Sequence, residues 1–180
     1  MGTCPAAGAA DPATILCTSC GLCCTGAMHH AVLLVDRETD TARALGLQVD
    51  DGIKPVFALP CPKLEGTLCG VYERRPSSCG YYRCQLLRNL DEGKVDLEDA
   101  MAKARVARAQ LADVQEMLPP GMSLRRARAI ATGREASDDA SPELRLRITA
   151  LTHYLDRYFM NDDDGKYFVA SDVSPKSEPA

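Results

Sequence analysis

The stretch CTSCGLCC places Cys17, Cys20, Cys23 and Cys24 within eight residues, and the chain then runs 36 residues to the next cysteine, Cys61. Cys69, Cys79 and Cys84 follow, so the pattern reads C-x2-C-x2-C-C, a gap, then C-x7-C-x9-C-x4-C. A ninth, Cys4, stands alone near the start and reads as incidental. Eight thiols are twice the four that complete a tetrahedral zinc or a [4Fe–4S] cluster. Two four-cysteine sites are the simplest count. One four-iron cluster with a zinc, or with free thiols, satisfies it as well. A C-x2-C turn suits metal because its backbone N–H groups point at the sulfurs and steady their charge. Two such turns overlap on Cys20, with Gly21 supplying the freedom a tight turn demands.

Three thiols at x2 spacing are closer to ferredoxin cluster loops than to zinc ribbons, whose C-x2-C knuckles stand apart. Adjacent residues rarely reach one metal together, so Cys24 is expected to face away from Cys23 towards a second site. Which of the distant cysteines join each site stays open. Charge gives an independent hint. Two four-thiolate sites would bury about −4, which is costly in a low-dielectric interior. Residues 61–88 carry Lys63, Arg74, Arg75, Arg83 and Arg88 against Glu65 and Glu73, a net +3 in a chain of net charge −4. Lys63, Arg74, Arg75 and Arg83 are therefore the expected charge partners of the thiolates.

Other uses of these residues fit less well. A thioredoxin-type pair would need a βαβ setting and would not need six more thiols. His29 and His30 follow the cluster closely, but with eight thiols at hand they read as surface or supporting residues. NDDDG lacks the distal Glu of a calcium loop. No titratable pair makes an acid–base couple, so no catalytic residue is named.

The elements that must position the thiols are unevenly legible. Residues 1–14 read as a loose lead, 15–92 as a cysteine-cluster domain, 93–160 as a helical region packed on it, and 161–180 as a disordered, Ser/Pro-rich tail. AVLLV (31–35) suggests a strand. DRETDTARALGL suggests a short helix closed near Gly46. Residues 50–62, with three prolines, suggest loop or edge strand. Asp96 caps a helix whose Ala100, Ala104, Ala107, Leu111, Val114 and Leu118 draw one apolar stripe, ended by Pro119-Pro120-Gly121. A second helix is expected from Ser123 to Thr132. A third begins at Ser141-Pro142 and carries Leu144, Ile148, Leu151, Leu155 and Phe159. The fold class is α-rich, small α+β: an irregular metal-stapled cysteine-rich half with short strands, then a helical half.

With 46% hydrophobic and 26% charged residues, the composition is that of an ordinary globular chain. It is thin in aromatics, with no Trp and three Phe. No stretch approaches the roughly 20 apolar residues of a membrane span. The start, MGTCPAAGAADPAT, has neither the basic nor the apolar region of an export signal. It begins Met-Gly, but Ala6 stands where myristoylation wants Ser or Thr. A cytoplasmic location is expected, and in a reducing compartment clustered thiols bind metal or do redox work rather than form disulfides. The best nucleic-acid case is SLRRARAIATGR, yet residues 121–160 hold seven Arg against five acids, a mixed face rather than a basic footprint.

CTSCGLCC together with CPKLEGTLCGVYERRPSSCGYYRC closely resembles the CxxCxxCC cysteine-cluster (YkgJ-like) proteins, which carry a zinc- or iron-chelating domain. The matching residues are Cys17, Cys20, Cys23 and Cys24; Cys61-Pro62 with Leu64; Cys69 with Val71-Tyr72; and Arg75-Pro76 leading to Cys79 and Cys84. The likeness runs over roughly residues 15–107. Gly80 departs from it, standing where such proteins commonly have Arg, and Tyr82 stands where Phe is frequent. A flagellin lysine methylase carries a similar cluster, but this short chain has no Gly-rich nucleotide fingerprint and methylation is not transferred. The resemblance implies zinc or iron, as two mononuclear zincs or one to two iron–sulfur clusters. The expected function is metal binding through the eight cysteines. The alternatives are an iron–sulfur electron-transfer or redox accessory of a partner enzyme, and a metal-stabilised adaptor. Metal ion is the expected partner, with a possible protein partner on the helical region, although the small-residue stripe fits packing on the third helix better.

Overall fold

A helix begins where the sequence suggested only a lead-in. The computed structural model describes residues 11–170, and in it α1 (Pro12–Cys20) opens with Asp11 as its cap, accepting from the Thr14 N–H at 3.3 Å. Pro12 sits at the first position, where its missing N–H costs nothing. The helix stops at Gly21, in the left-handed conformation with φ 66°, whose N–H donates to the Cys17 carbonyl at 3.2 Å. So the cysteine motif is half helix and half turn, with a 3-10 turn over Leu22–Cys24. Cys4 and the rest of 1–10 lie outside the described residues.

The chain then forms β1 (His29–Leu33), α2 (Thr39–Ala44), β2 (Val49–Asp50) and β3 (Val56–Ala58). A hairpin of β4 (Leu64–Glu65) and β5 (Leu68–Cys69) follows, then short helices α3 (Ser77–Tyr81) and α4 (Gln85–Asp91). The helical half is α5 (Leu97–Met117), α6 (Leu124–Ala131) and α7 (Pro142–Tyr158), and β6 (Phe168–Ala170) closes the series. The larger sheet is antiparallel in the order β2-β3-β1-β6. The architecture is α-rich α+β, with seven α-helices and two small antiparallel sheets among the described residues.

The long helices lie where the pattern put them. Asp96, Ser123 and Ser141 each cap their helix by accepting an N–H three residues on, from Asp99, Arg126 and Leu144. The stripe Ala100, Ala104, Ala107, Leu111 and Val114 is buried, and α5 packs on α7 and also on α1. Its small residues let two helices approach, and so it serves the interior of this chain. Leu144, Ile148, Leu151, Leu155 and Phe159 are all buried on α7 and at its end. All three Phe are in the core.

Three expectations shift. The strand runs 29–33 rather than 31–35, because His29 is buried under Phe168 with ring centroids 4.1 Å apart. Residues 50–62 supply an internal strand, since β3 lies between β2 and β1. Pro55 and Pro60 flank its paired residues and so remove no ladder N–H. Finally, residues 161–170, expected to fray, form a 3-10 turn at Asp164–Lys166 and then β6 beside β1. Phe168 anchors that segment, a single apolar residue that no periodicity could reveal. Residues 171–180 lie outside the described residues.

Candidate metal centre

Every cysteine from Cys17 to Cys84 is a free thiol, and they converge from five elements and a loop. Cys17 and Cys20 stand on α1, Cys23 and Cys24 on the turn after it, Cys69 on β5, Cys79 on α3, and Cys84 caps α4. Cys61 is brought in by the backbone: its N–H donates to the Cys24 carbonyl at 2.8 Å. α1 packs against α4 and against β5, which carries the hairpin over the motif. The approach is close. A Cβ placed on Gly21 would stand 3.0 Å from the Thr67 carbonyl oxygen. Cys17, Cys23, Cys24, Cys61, Cys69 and Cys79 line one cavity of about 110 Å³ whose other walls include Val32, Phe57, Leu59 and Phe168.

Burial is the main force on these thiols, as ionising a sulfur away from water is costly. It pushes Cys20 up to about 11, Cys24 and Cys84 to about 12, and Cys23 and Cys79 well above the thiol range. For Cys23, Cys24 and Cys79 the next causes are the sulfurs themselves, and other sulfurs also raise Cys20 and Cys84. Cys23 is raised by Cys84, Cys20, Cys24 and Cys17; Cys84 by Cys20 and Cys17. Cys79 is raised by Cys24, Cys61 and Cys69; Cys24 by Cys61, Cys69 and, less, Cys20. Opposing them, backbone N–H groups point at sulfur: Leu22 at Cys20, Lys63 at Cys61, Leu87 and Leu86 at Cys84. Among the described residues no group of three or more His, Cys, Asp or Glu side chains stands in ready-made metal-holding geometry. The thiols are neighbours, not a formed coordination sphere.

The expected cations divide. Arg75 lowers Cys17, Cys24 and Cys79; Arg83 lowers Cys17; Lys63 lowers Cys61. Arg74 instead lines a surface groove with Glu38, Thr41 and Leu45. Two cations that the sequence does not assign to the thiols come from the helical half, Arg128 among them entering the sequence reading only as part of SLRRARAIATGR. Arg108 of α5 donates to the Cys20 carbonyl at 2.9 Å, and Arg128 of α6 donates to the Ala27 carbonyl. They pin both ends of the loop that carries Cys23 and Cys24. Sequence spacing would not have shown this, because the partners are backbone carbonyls 88 and 101 residues away.

A buried polar chain lies behind the thiols. Tyr82, which lines the cavity, donates to Asp164 at 2.9 Å and so accepts from His29 Nε2 at 3.2 Å. His29 is wholly buried rather than on the surface, and its Nδ1 has no hydrogen-bond partner. Burial first, then the positive charge of Arg128, lowers it to about 4. Burial raises Asp164 in the same chain.

A family model described as "Putative zinc- or iron-chelating domain", CxxCxxCC, matches residues 16–106, half of the chain. The chain belongs to the CxxCxxCC family. The matched segment holds all eight converging thiols and ends within α5. No match was found among the curated proteins or the solved structures. No helix among the described residues is long and apolar enough to cross a membrane.

Proposed function

We propose that this CxxCxxCC protein holds zinc or iron in two four-cysteine sites. Cys17, Cys20, Cys23 and Cys84 make the first, and Cys24, Cys61, Cys69 and Cys79 the second. The observation that carries this division is the way each buried sulfur feels the others: strongest influences stay within these two sets, with only Cys20, Cys23 and Cys24 touching across them. Packing agrees, because Cys84 opens the helix that lies on α1, while the Cys61 N–H binds the Cys24 carbonyl. The donor chemistry suits either metal. The thiols are soft, their N–H partners are in place, and Arg75, Arg83, Arg108 and Lys63 offset charge. Bound metal would supply the crosslink this thin aromatic core otherwise lacks, and each thiol would release its proton on binding. A closed four-thiolate zinc leaves no open position for substrate, so zinc here means a scaffold.

One feature favours iron–sulfur clusters, and with them a redox or accessory role. The thiol-lined cavity, about 110 Å³, is many times the ~10–15 Å³ that one water needs, and bare ions need less. The test is metal content with an absorption spectrum on protein purified without oxygen. Two zinc equivalents without colour fit the scaffold; iron with acid-labile sulfide and a brown chromophore fits clusters. Cys84→Ser should lose the same equivalent as Cys20→Ser, and Cys69→Ser the other. Full retention of both in Cys84→Ser sinks the division.

A further inference from the structure

Among the described thiols Cys17 is the one exposed at the surface. It opens into a cleft of about 120 Å³ that also touches Cys79, one thiol from each set. Asp11, Tyr72, Arg75, Gly80 and Arg83 shape its walls. The charges there are unequal. Asp11 is turned to α1, where its carboxylate accepts from the Thr14 N–H. Arg83 pairs with Asp91 at 3.6 Å, which offsets part of its charge. The Arg75 guanidinium lies 3.8 Å above the Tyr72 ring, held at the rim, and Arg75 lines the thiol cavity as well. Gly80 lies beside Arg75 in this wall, where a Cβ would make ordinary contact with Arg75 Nε at 3.6 Å. At Cys17 the two guanidiniums outrank the nearby Asp91 and Asp11 carboxylates, so a bare divalent cation is repelled there whereas an anionic carrier of the same metal is drawn in.

Building on the two-site reading, we infer that the cleft over Cys17 receives metal as a small anionic chelate of the polycarboxylate class. Arg75 and Arg83 grip the carrier's free carboxylates and present its metal to Cys17. The exchange is a ligand substitution. One metal–oxygen bond to the carrier breaks as each metal–sulfur bond forms, each thiol gives its proton to solvent, and no electron changes hands. Cys20, Cys23 and Cys84, deeper in the fold, follow Cys17.

The experiment loads the full-length, reduced, metal-free protein with zinc presented either as the aquo ion or as zinc citrate. Initial rates are followed by zinc–thiolate ultraviolet absorption. The quantity read is the ratio of the citrate rate to the aquo rate, which cancels changes in the thiols themselves. In the Arg75→Gln/Arg83→Gln variant the ratio should fall about tenfold, and Arg75→Lys/Arg83→Lys should restore most of it. The parent protein supplies a test free of folding effects. Raising salt to 1 M, where the screening length is about 3 Å, should lower the citrate rate and raise the aquo rate. A ratio indifferent to both the arginines and salt overturns the chelate cleft while leaving the metal sites intact. Failure to load zinc from either carrier overturns the zinc reading of the sites, and the chelate cleft with it.

Discussion

Gly21→Ala tests how the motif is held. Gly21 sits at φ 66°, and a methyl there would come 3.0 Å from the Thr67 carbonyl oxygen and 3.1 Å from the Thr67 Cα. A left-handed alanine costs roughly 1–2 kcal/mol. The contact adds to this, because its partners are backbone atoms of the β4–β5 turn and cannot swing aside. Overpacking of this sort costs roughly 1–3 kcal/mol. Gly93 provides the control, with φ 68° and nothing within 4 Å of its Cβ position, so Gly93→Ala carries only the conformational cost. At roughly 2–4 °C per kcal/mol for a chain of this size, Gly21→Ala should melt 4–20 °C lower and Gly93→Ala 2–8 °C lower. The displaced hairpin carries Cys69, so Gly21→Ala should also weaken metal retention in a competition with a chromophoric chelator, and Gly93→Ala should not. Equal losses of stability in the two variants would refute the reasoning, since the Thr67 contact would then have no cost.

The remaining expectations concern the polar chain behind the thiols. Tyr82→Phe leaves the His29 N–H and the Asp164 carboxylate without their shared partner, at roughly 2–4 kcal/mol for two buried groups. Chemical denaturation measures it, and Asp164→Ala added to it should cost less than its separate effect, because both remove the Tyr82–Asp164 bond; strict additivity would refute the chain. His29, held neutral and lowered to about 4 from its usual 6.5, makes stability depend on pH. Between these values the unfolded chain binds a proton that the folded one refuses. Stability is therefore full above pH 6.5 and falls as pH drops towards 4, by on the order of 3 kcal/mol. His29→Gln should lose that part of the slope, read as the difference between the two proteins' denaturation curves across the window.

What the sequence determined by itself is what local chemistry can encode. The thiols and their x2 spacing announce metal. The caps Asp96, Ser123 and Ser141 and the period of α5 and α7 announce helices, because a cap and a stripe act within a few residues of themselves. The even count of eight suggested two sites, and Cys24 next to Cys23 suggested that they diverge. α1 escaped notice because the motif's cysteines hide its helical character, and β6 because three residues carry no period. Only the tertiary structure decided which distant cysteine lies near which part of the motif. Cys84 and Cys79 are five residues apart, yet a bend between α3 and α4 sends them to different neighbours. It alone seated His29 against Tyr82 and Phe168, and brought Arg108 and Arg128 across 88 and 101 residues to the motif's carbonyls. Such partners are chosen by where the chain returns, and the return is set by packing of the whole core rather than by any residue's neighbours in sequence.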